Sequence, residues 1–164
     1  MLFSGAYEHS IDAKNRLAVP SPVRATLERM GLGKRVYVAL GTRPRTLAVW
    51  PEEHFRAMAE QLPRSPIPDP DQLQYEQFFF STAHDVEIDS QGRILIPEGL
   101  IQLAEIGRQV FIIGVYDHLE VWSKDDFQQF VRENWQQYAS VQQRARQAIL
   151  NSAQVNRPTQ RGPE

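Results

Sequence analysis

The chain repeats itself, and that repetition constrains its fold more than any other feature. Ile11-Asp12-Ala13-Lys14-Asn15-Arg16-Leu17-Ala18-Val19-Pro20 parallels Ile88-Asp89-Ser90-Gln91-Gly92-Arg93-Ile94-Leu95-Ile96-Pro97 at an offset of 77 residues. Both read Ile-Asp-x-x-x-Arg, three apolar residues, then Pro. Farther on, Val49-Trp50 parallels Val121-Trp122 and Phe55 parallels Phe127, now at an offset of 72. A fixed spacing of unlike residue types identifies a duplicated structural unit. Five residues separate the two offsets, and the loops around Gly31 to Gly41 are where the sequence predicts that loss, so that the copies share elements and differ in connections.

Each copy reads as a strand, a tight turn, a short strand, a short helix, a two-stranded meander and a closing helix. The first strand covers about Ser4 to Ile11, and Arg16 to Val19 forms the return strand, which Pro20 stops because proline cannot donate to a ladder. Ser21-Pro22 predicts a capped helix through Met30, terminated by Gly31. Strands follow at about Arg35 to Leu40 and Thr46 to Trp50. The second copy repeats these pieces at Asp85 to Ile88, Arg93 to Ile96, Glu98 to Glu105, Gln109 to Val115 and Leu119 to Trp122.

Four prolines within Pro63-Arg64-Ser65-Pro66-Ile67-Pro68-Asp69-Pro70 exclude helix and inner strand and mark a linker. The organisation expected is therefore a first module over 1–62, a linker over 63–71, a second module over 72–150 and a flexible tail over 151–164. A short amphipathic helix over Asp71 to Ser81 enters the second copy. Phe127, Phe130, Val131, Trp135, Tyr138, Val141, Ala145 and Ile149 recur near helical spacing from a cap at Ser123, which predicts one helix of some 25 residues. Packing on its own chain and contact with another subunit are both open to that aromatic stripe.

An apolar content of 41% suffices for a buried core. The amino-terminal stretch lacks the pattern of a secretory signal and no apolar run approaches a membrane span, so a cytosolic protein is expected. With no cysteine, disulfides and thiolate chemistry are excluded. The net charge of −2 is unevenly spread: residues 1–62 carry +3, 63–74 carry −1, 75–138 carry −7 and 139–164 carry +3. On that basis the basic surroundings of Arg16 predict a larger share of any phosphate contact for the first copy than for Arg93 in the second.

The two turns carry the functional reading. Asp12 and Asp89 suit the first position of a type I turn, where the carboxylate accepts backbone amides. Asn15 and Gly92 fall at the fourth position, where a positive φ is expected. Folding thus accounts for Asp12, Asn15, Asp89 and Gly92 as turn-forming support. Arg16 and Arg93 are not demanded by that geometry. Either each pairs with its own Asp, or two hairpin tips present guanidinium groups, with Lys14 and Gln91 beside them, to a DNA groove; the roles are compatible. Arginine can bind the O6 and N7 edge of guanine through two hydrogen bonds.

Over nearly its whole length, from Tyr7-Glu8-His9-Ser10-Ile11-Asp12 through the second Asp-x-x-x-Arg stretch to Val121-Trp122-Ser123-Lys124, the sequence resembles the MraZ family. The resemblance implies a mixed α+β, β-rich fold in which two tandem AbrB-like modules pair within the chain into a swapped-hairpin β-barrel, with flanking helices and a long C-terminal helix. It implies a ring-like homo-oligomer that binds short direct repeats in promoter DNA upstream of its own division and cell-wall gene cluster, mainly as a repressor, in the cytoplasm and on the nucleoid. The DNA-binding role then falls on Lys14, Arg16, Gln91 and Arg93. No cofactor, metal, membrane or small-molecule substrate is implied.

Two other classes fit parts of the pattern. An enzyme is disfavoured because His9, His54, His84 and His118 do not repeat between copies and no P-loop, His-Glu-x-x-His or Gly-x-Ser-x-Gly pattern occurs. An antitoxin-like DNA-binding module with a protein partner is kept as the alternative by the aromatic C-terminal helix, and weakened by the duplicated architecture.

Overall fold

The computed structural model describes residues 2–67 and 69–155, the side chains of 153–155 excepted. The first copy supplies β1 (Ala6–Ser10), β2 (Arg16–Ala18), α1 (Ser21–Met30), β3 (Arg35–Leu40), β4 (Thr46–Pro51) and α2 (Glu52–Glu60). The second supplies α3 (Pro70–Thr82), β5 (His84–Glu87), β6 (Arg93–Leu95), α4 (Glu98–Ala104), β7 (Gln109–Val115), β8 (His118–Ser123) and α5 (Lys124–Gln136), followed by α6 (Tyr138–Val155). The fold is mixed α and β, rich in strands, with two repeated modules.

The strands of the two copies interleave. One sheet runs β1-β7-β8-β4-β3-β5, and β2 pairs with β6 in a separate two-stranded ribbon. Exchanging the copies turns the first order into its own reverse, so the pairing has an internal two-fold. Registers agree with it: Leu17 lies opposite Ile94, its counterpart, and Ala48 lies opposite Glu120, its counterpart. The ladder ends at β1 and β5, so hydrogen bonding among the described residues gives a six-stranded sheet plus a two-stranded ribbon.

Burial explains why the strands cross over. Leu17, Ile94, Ile96, Leu100, Val38, Leu47, Val110 and Val121 are essentially sealed from solvent and belong to one core drawn from both halves. Neither half could bury these faces alone, and burying such side chains contributes about 1.5–3 kcal/mol each. The chain to Phe127 forms one compact unit and the chain from Gln128 another.

Several expectations need correction. The loss of five residues falls only partly in loops. Helix α1 has 10 residues and α4 has 7, so three are lost inside the helix. Their ends still match: Gly31 takes the left-handed conformation (φ 68°) after α1, and Glu105 takes it (φ 51°) after α4. The N-cap of α1 is Pro20, without a side-chain bond, rather than Ser21. Helix α3 starts at Pro70, capped by Asp69, whose carboxylate accepts the amides of Asp71 and Gln72.

The long C-terminal helix is two helices broken at Gln137. There the side chain of Asn134 donates to the Phe130 carbonyl at 2.8 Å, and the Gln137 amide turns back to the Asn134 carbonyl. A side-chain amide that competes for helical acceptors weakens and bends a helix locally. Val131, Trp135, Tyr138, Ile149 and Leu150 of the stripe are exposed, whereas Phe127 at its start packs on Phe111 and Trp122. Helix α6 runs to Val155, past the expected start of the tail at 151, and residues 156–164 lie outside the described residues, as does Pro68 of the linker.

Candidate nucleic-acid interface

The two Asp-x-x-x-Arg turns have the same atomic construction. Asp12 Oδ1 accepts the amides of Lys14 and Arg16, both at 2.8 Å, and the Asn15 amide donates to the Asp12 carbonyl at 3.0 Å. Asp89 Oδ1 accepts the amides of Gln91 and Arg93 at 2.8 and 2.9 Å, and the Gly92 amide donates to the Asp89 carbonyl at 2.9 Å. Asn15 (φ 60°) and Gly92 (φ 76°) take the left-handed conformation that returns the chain. Amide donation from Arg16 is the largest influence holding the Asp12 carboxyl below its ordinary range, and amide donation from Arg93 does the same for Asp89.

Each arginine also pairs with its own aspartate. Arg16 Nε lies 2.8 Å from Asp12 Oδ2, and Arg93 reaches Asp89 Oδ2 through Nε at 3.0 Å and a terminal nitrogen at 2.9 Å. The pairing orients the guanidinium groups without hiding them, since the side chains of Arg16 and Arg93 remain 33% and 26% exposed. Each head keeps N–H groups to offer, because guanidinium carries five donors.

The turns are not hairpin tips. Strand β1 pairs with β7, while contact between the arms of the first turn is limited to a bridge between Ile11 and Leu17. The turns are corners where the chain leaves the large sheet for the ribbon. The ribbon then brings the arginines together: Arg16 lies opposite Leu95, and Ala18 opposite Arg93. Leu17 and Ile94 point into the core, so by strand alternation Arg16, Ala18, Arg93 and Leu95 share the outward face. The two arginines are diagonal neighbours, roughly 7–8 Å apart at their backbones. The corners lock onto the opposite strands, with the Val19 amide on the Gly92 carbonyl at 2.9 Å and the Ile96 amide on the Asn15 carbonyl at 2.8 Å. Lys14 and Gln91 are exposed at the same corners.

Cross-pairing also overturns the assignment of basic surroundings to one copy. Arg108, from the second copy, donates to the Asp12 carbonyl at 2.9 Å and to Asn15 Oδ1 at 2.7 Å in the first turn. Arg24 and Lys34, from the first copy, line a cavity of about 510 Å³ with Asp89, Ser90 and Gly92 of the second turn. Segment charge along the chain therefore misstates the field at either arginine. Sequence reasoning missed these three cations. A signal existed for two of them: Gly33-Lys34-Arg35-Val36 parallels Gly107-Arg108-Gln109-Val110 at an intermediate offset of 74.

The histidines do not assemble into a site. His118 stacks on Trp50 with ring centroids 4.0 Å apart and sits between Asp117 and Glu120, while His54 meets the Asp117 carbonyl. Among the described residues no group of histidine and carboxylate side chains could hold a metal ion, and no helix is long and apolar enough to cross a membrane.

Fold and site together define a class of protein: a tandemly duplicated, strand-exchanged scaffold that carries paired arginines on a two-stranded ribbon. A family model described as "MraZ protein, putative antitoxin-like" matches residues 2–75 and 79–151. Among curated relatives, the chain is 35% identical to a transcriptional regulator MraZ of Clostridium tetani over 84% of this chain and 87% of that protein. It is 34% identical to the transcriptional regulator MraZ of Desulforamulus reducens over 90% of this chain and 98% of that one. Against the one from Acetivibrio thermocellus it is 36% identical, over 79% and 86%. The chain belongs to the MraZ family.

Proposed function

We propose that the chain is a sequence-specific DNA-binding transcriptional regulator. The observation that carries this reading is the pairing of Arg16 and Arg93 on the outward face of one antiparallel ribbon, related by the internal two-fold. A two-stranded ribbon fits the major groove, and arginine is the residue best matched to the guanine edge. Asp12 and Asp89 fix each guanidinium at its Nε side, which reduces the side-chain freedom lost on binding. The curated relatives are transcriptional regulators, which agrees.

The finer reading completes the picture. Lys14 and Gln91 contact the duplex beside the arginines, while Asp12, Asn15, Asp89 and Gly92 hold the corners. Segments 1–62 and 72–150 act as the duplicated modules about linker 63–71, and the strands close toward a swapped-hairpin barrel. Copies assemble into a ring that spans short direct repeats in the promoter of the chain's own division and cell-wall cluster, repressing it at the nucleoid in the cytoplasm. The role is binding without catalysis.

The test is a titration of the full chain against a duplex from upstream of its own gene and a shuffled duplex of equal length. The native duplex should bind at least about 1,000-fold more tightly, and the double variant Arg16→Ala/Arg93→Ala should lose the preference. Equal binding of both duplexes by the unaltered chain would refute sequence-specific recognition.

A further inference from the structure

Several cations away from the corners are neutralised by carboxylates. Arg35 pairs with Asp85, Arg45 with Asp126, Arg56 with Glu52, and Lys124 with Glu8. Arg108, Arg24 and Lys34 at the two corners differ. Arg108 donates to neutral acceptors, the Asp12 carbonyl and the Asn15 side-chain oxygen. Arg24 donates to the Val19 carbonyl at 3.2 Å. Lys34 makes no ion pair among the described residues. All three are exposed.

Their placement follows the internal two-fold. The Arg108 carbonyl accepts the Ile11 amide at 2.8 Å, and the Lys34 carbonyl accepts the Ile88 amide at 2.9 Å. Each residue is thereby anchored one step before the Asp of the other copy's turn. Arg24 adds a charge at the second corner, where its guanidinium lies close to Gly92. Glu28 and Asp89 line the same cavity and are the opposing charges there.

We propose that Arg108, Lys34 and Arg24 are phosphate contacts, each given in trans by one copy to the other's corner, that grip the DNA backbone on either side of the base-reading arginines. This rests on the DNA-binding reading above and extends it to which residues recognise phosphodiester. Phosphates flank every base edge reached in the groove, and exposed cations without a carboxylate partner are suited to displace their counterions. Arg24 and Lys34 supply at the second corner the charge that Gln91, in the place of Lys14, does not.

The experiment is a salt titration from 50 to 200 mM with the full chain, on the duplex from upstream of its own gene and on the shuffled duplex. Arg108→Gln, Lys34→Gln and Arg24→Gln should each weaken both duplexes by the same factor. Each should also lower the slope of log affinity against log salt by about 0.9 per lost contact, so that the deficit shrinks by about 3.5-fold across this range. Arg108→Lys should restore the slope. Slopes that stay at the unaltered value while that chain still binds overturn this proposal alone, including the case where Arg108→Gln loses affinity by misplacing the Asn15 corner. An unaltered chain that binds neither duplex overturns this proposal and the DNA-binding reading together.

Discussion

Replacing Gly92 by alanine tests the corner that sets Arg93. Gly92 has φ 76°, its amide bonds the Asp89 carbonyl and its carbonyl accepts the Val19 amide, so the residue cannot relax without breaking the link between corner and ribbon. Holding a residue with a Cβ in the left-handed region costs roughly 1–2 kcal/mol. A Cβ there would also come within 2.8 Å of the Arg24 guanidinium. That group is the far end of a flexible chain and can swing away, so the steric part is small beside the backbone part. For a chain of this size each kcal/mol lowers the melting temperature by about 2–4 °C, and the expected loss is therefore about 2–8 °C. Gly92→Asn is the control, because Asn15 already adopts φ 60° at the equivalent corner. It should cost less than alanine. Thermal melts at one fixed protein concentration, followed by circular dichroism, decide the matter. An alanine variant that melts within about 1 °C of the unaltered chain, or an asparagine variant that melts lower than alanine, would refute the argument.

Arg16→Ala and Arg93→Ala should weaken binding to the native duplex to a similar extent, each by about 1–3 kcal/mol for one lost base contact; a difference above tenfold in titrations would show that the corners are not equivalent. Ile94→Ala should destabilise by about 2–5 kcal/mol, because the side chain is 2% exposed at the centre of the ribbon, and a urea midpoint left unchanged would contradict that placement. Burial opposes the His118 imidazolium, but the Glu120 and Asp117 carboxylates outweigh it and raise its pKa, while bonding to His118 lowers that of Glu120. The histidine contribution is full below its unfolded value near 6.5 and is lost as pH rises through the raised folded value; the Glu120 contribution is present above its unfolded value and is lost as pH falls through the depressed folded one. Urea midpoints should therefore fall from mildly acidic to alkaline pH, and His118→Gln should flatten that fall; an equal slope in the variant would remove His118 as its cause.

Local chemistry made part of this molecule readable from its sequence. Asp12 and Asp89 announce turns because a short carboxylate can serve backbone amides in place of water, and Asn15 and Gly92 announce the left-handed residue that follows. Pro20 and Pro97 end the ribbon strands for want of an amide donor. What stayed hidden was nonlocal. Nothing within Arg16 to Ala18 says that its partner is Arg93 to Leu95, since β2 would satisfy the same pattern against its own β1. The reading of the turns as hairpin tips failed there, and with it the segment-by-segment account of charge. The break at Gln137 was hidden for a different reason: apolar spacing continues through it, and the competing bond from Asn134 has no periodic signature.

Strand exchange also explains how the halves could diverge without unbalancing the site. Two identical modules associating as separate chains would be held to the same residues at both corners. Once they are joined, Lys14 can become Gln91 and Asn15 can become Gly92, because each corner is completed by side chains from the other half. On our assignment the first corner keeps Lys14 and gains Arg108, while the second gains Lys34 and Arg24. Helix α4, the counterpart of α1, carries no basic residue to match Arg24. The substitution at Gln91 and the added arginine on α1 thus offset each other across the two-fold. Equal phosphate contact at two chemically different corners would let one chain approach a duplex without electrostatic bias, leaving the choice of orientation to the base edges that Arg16 and Arg93 meet.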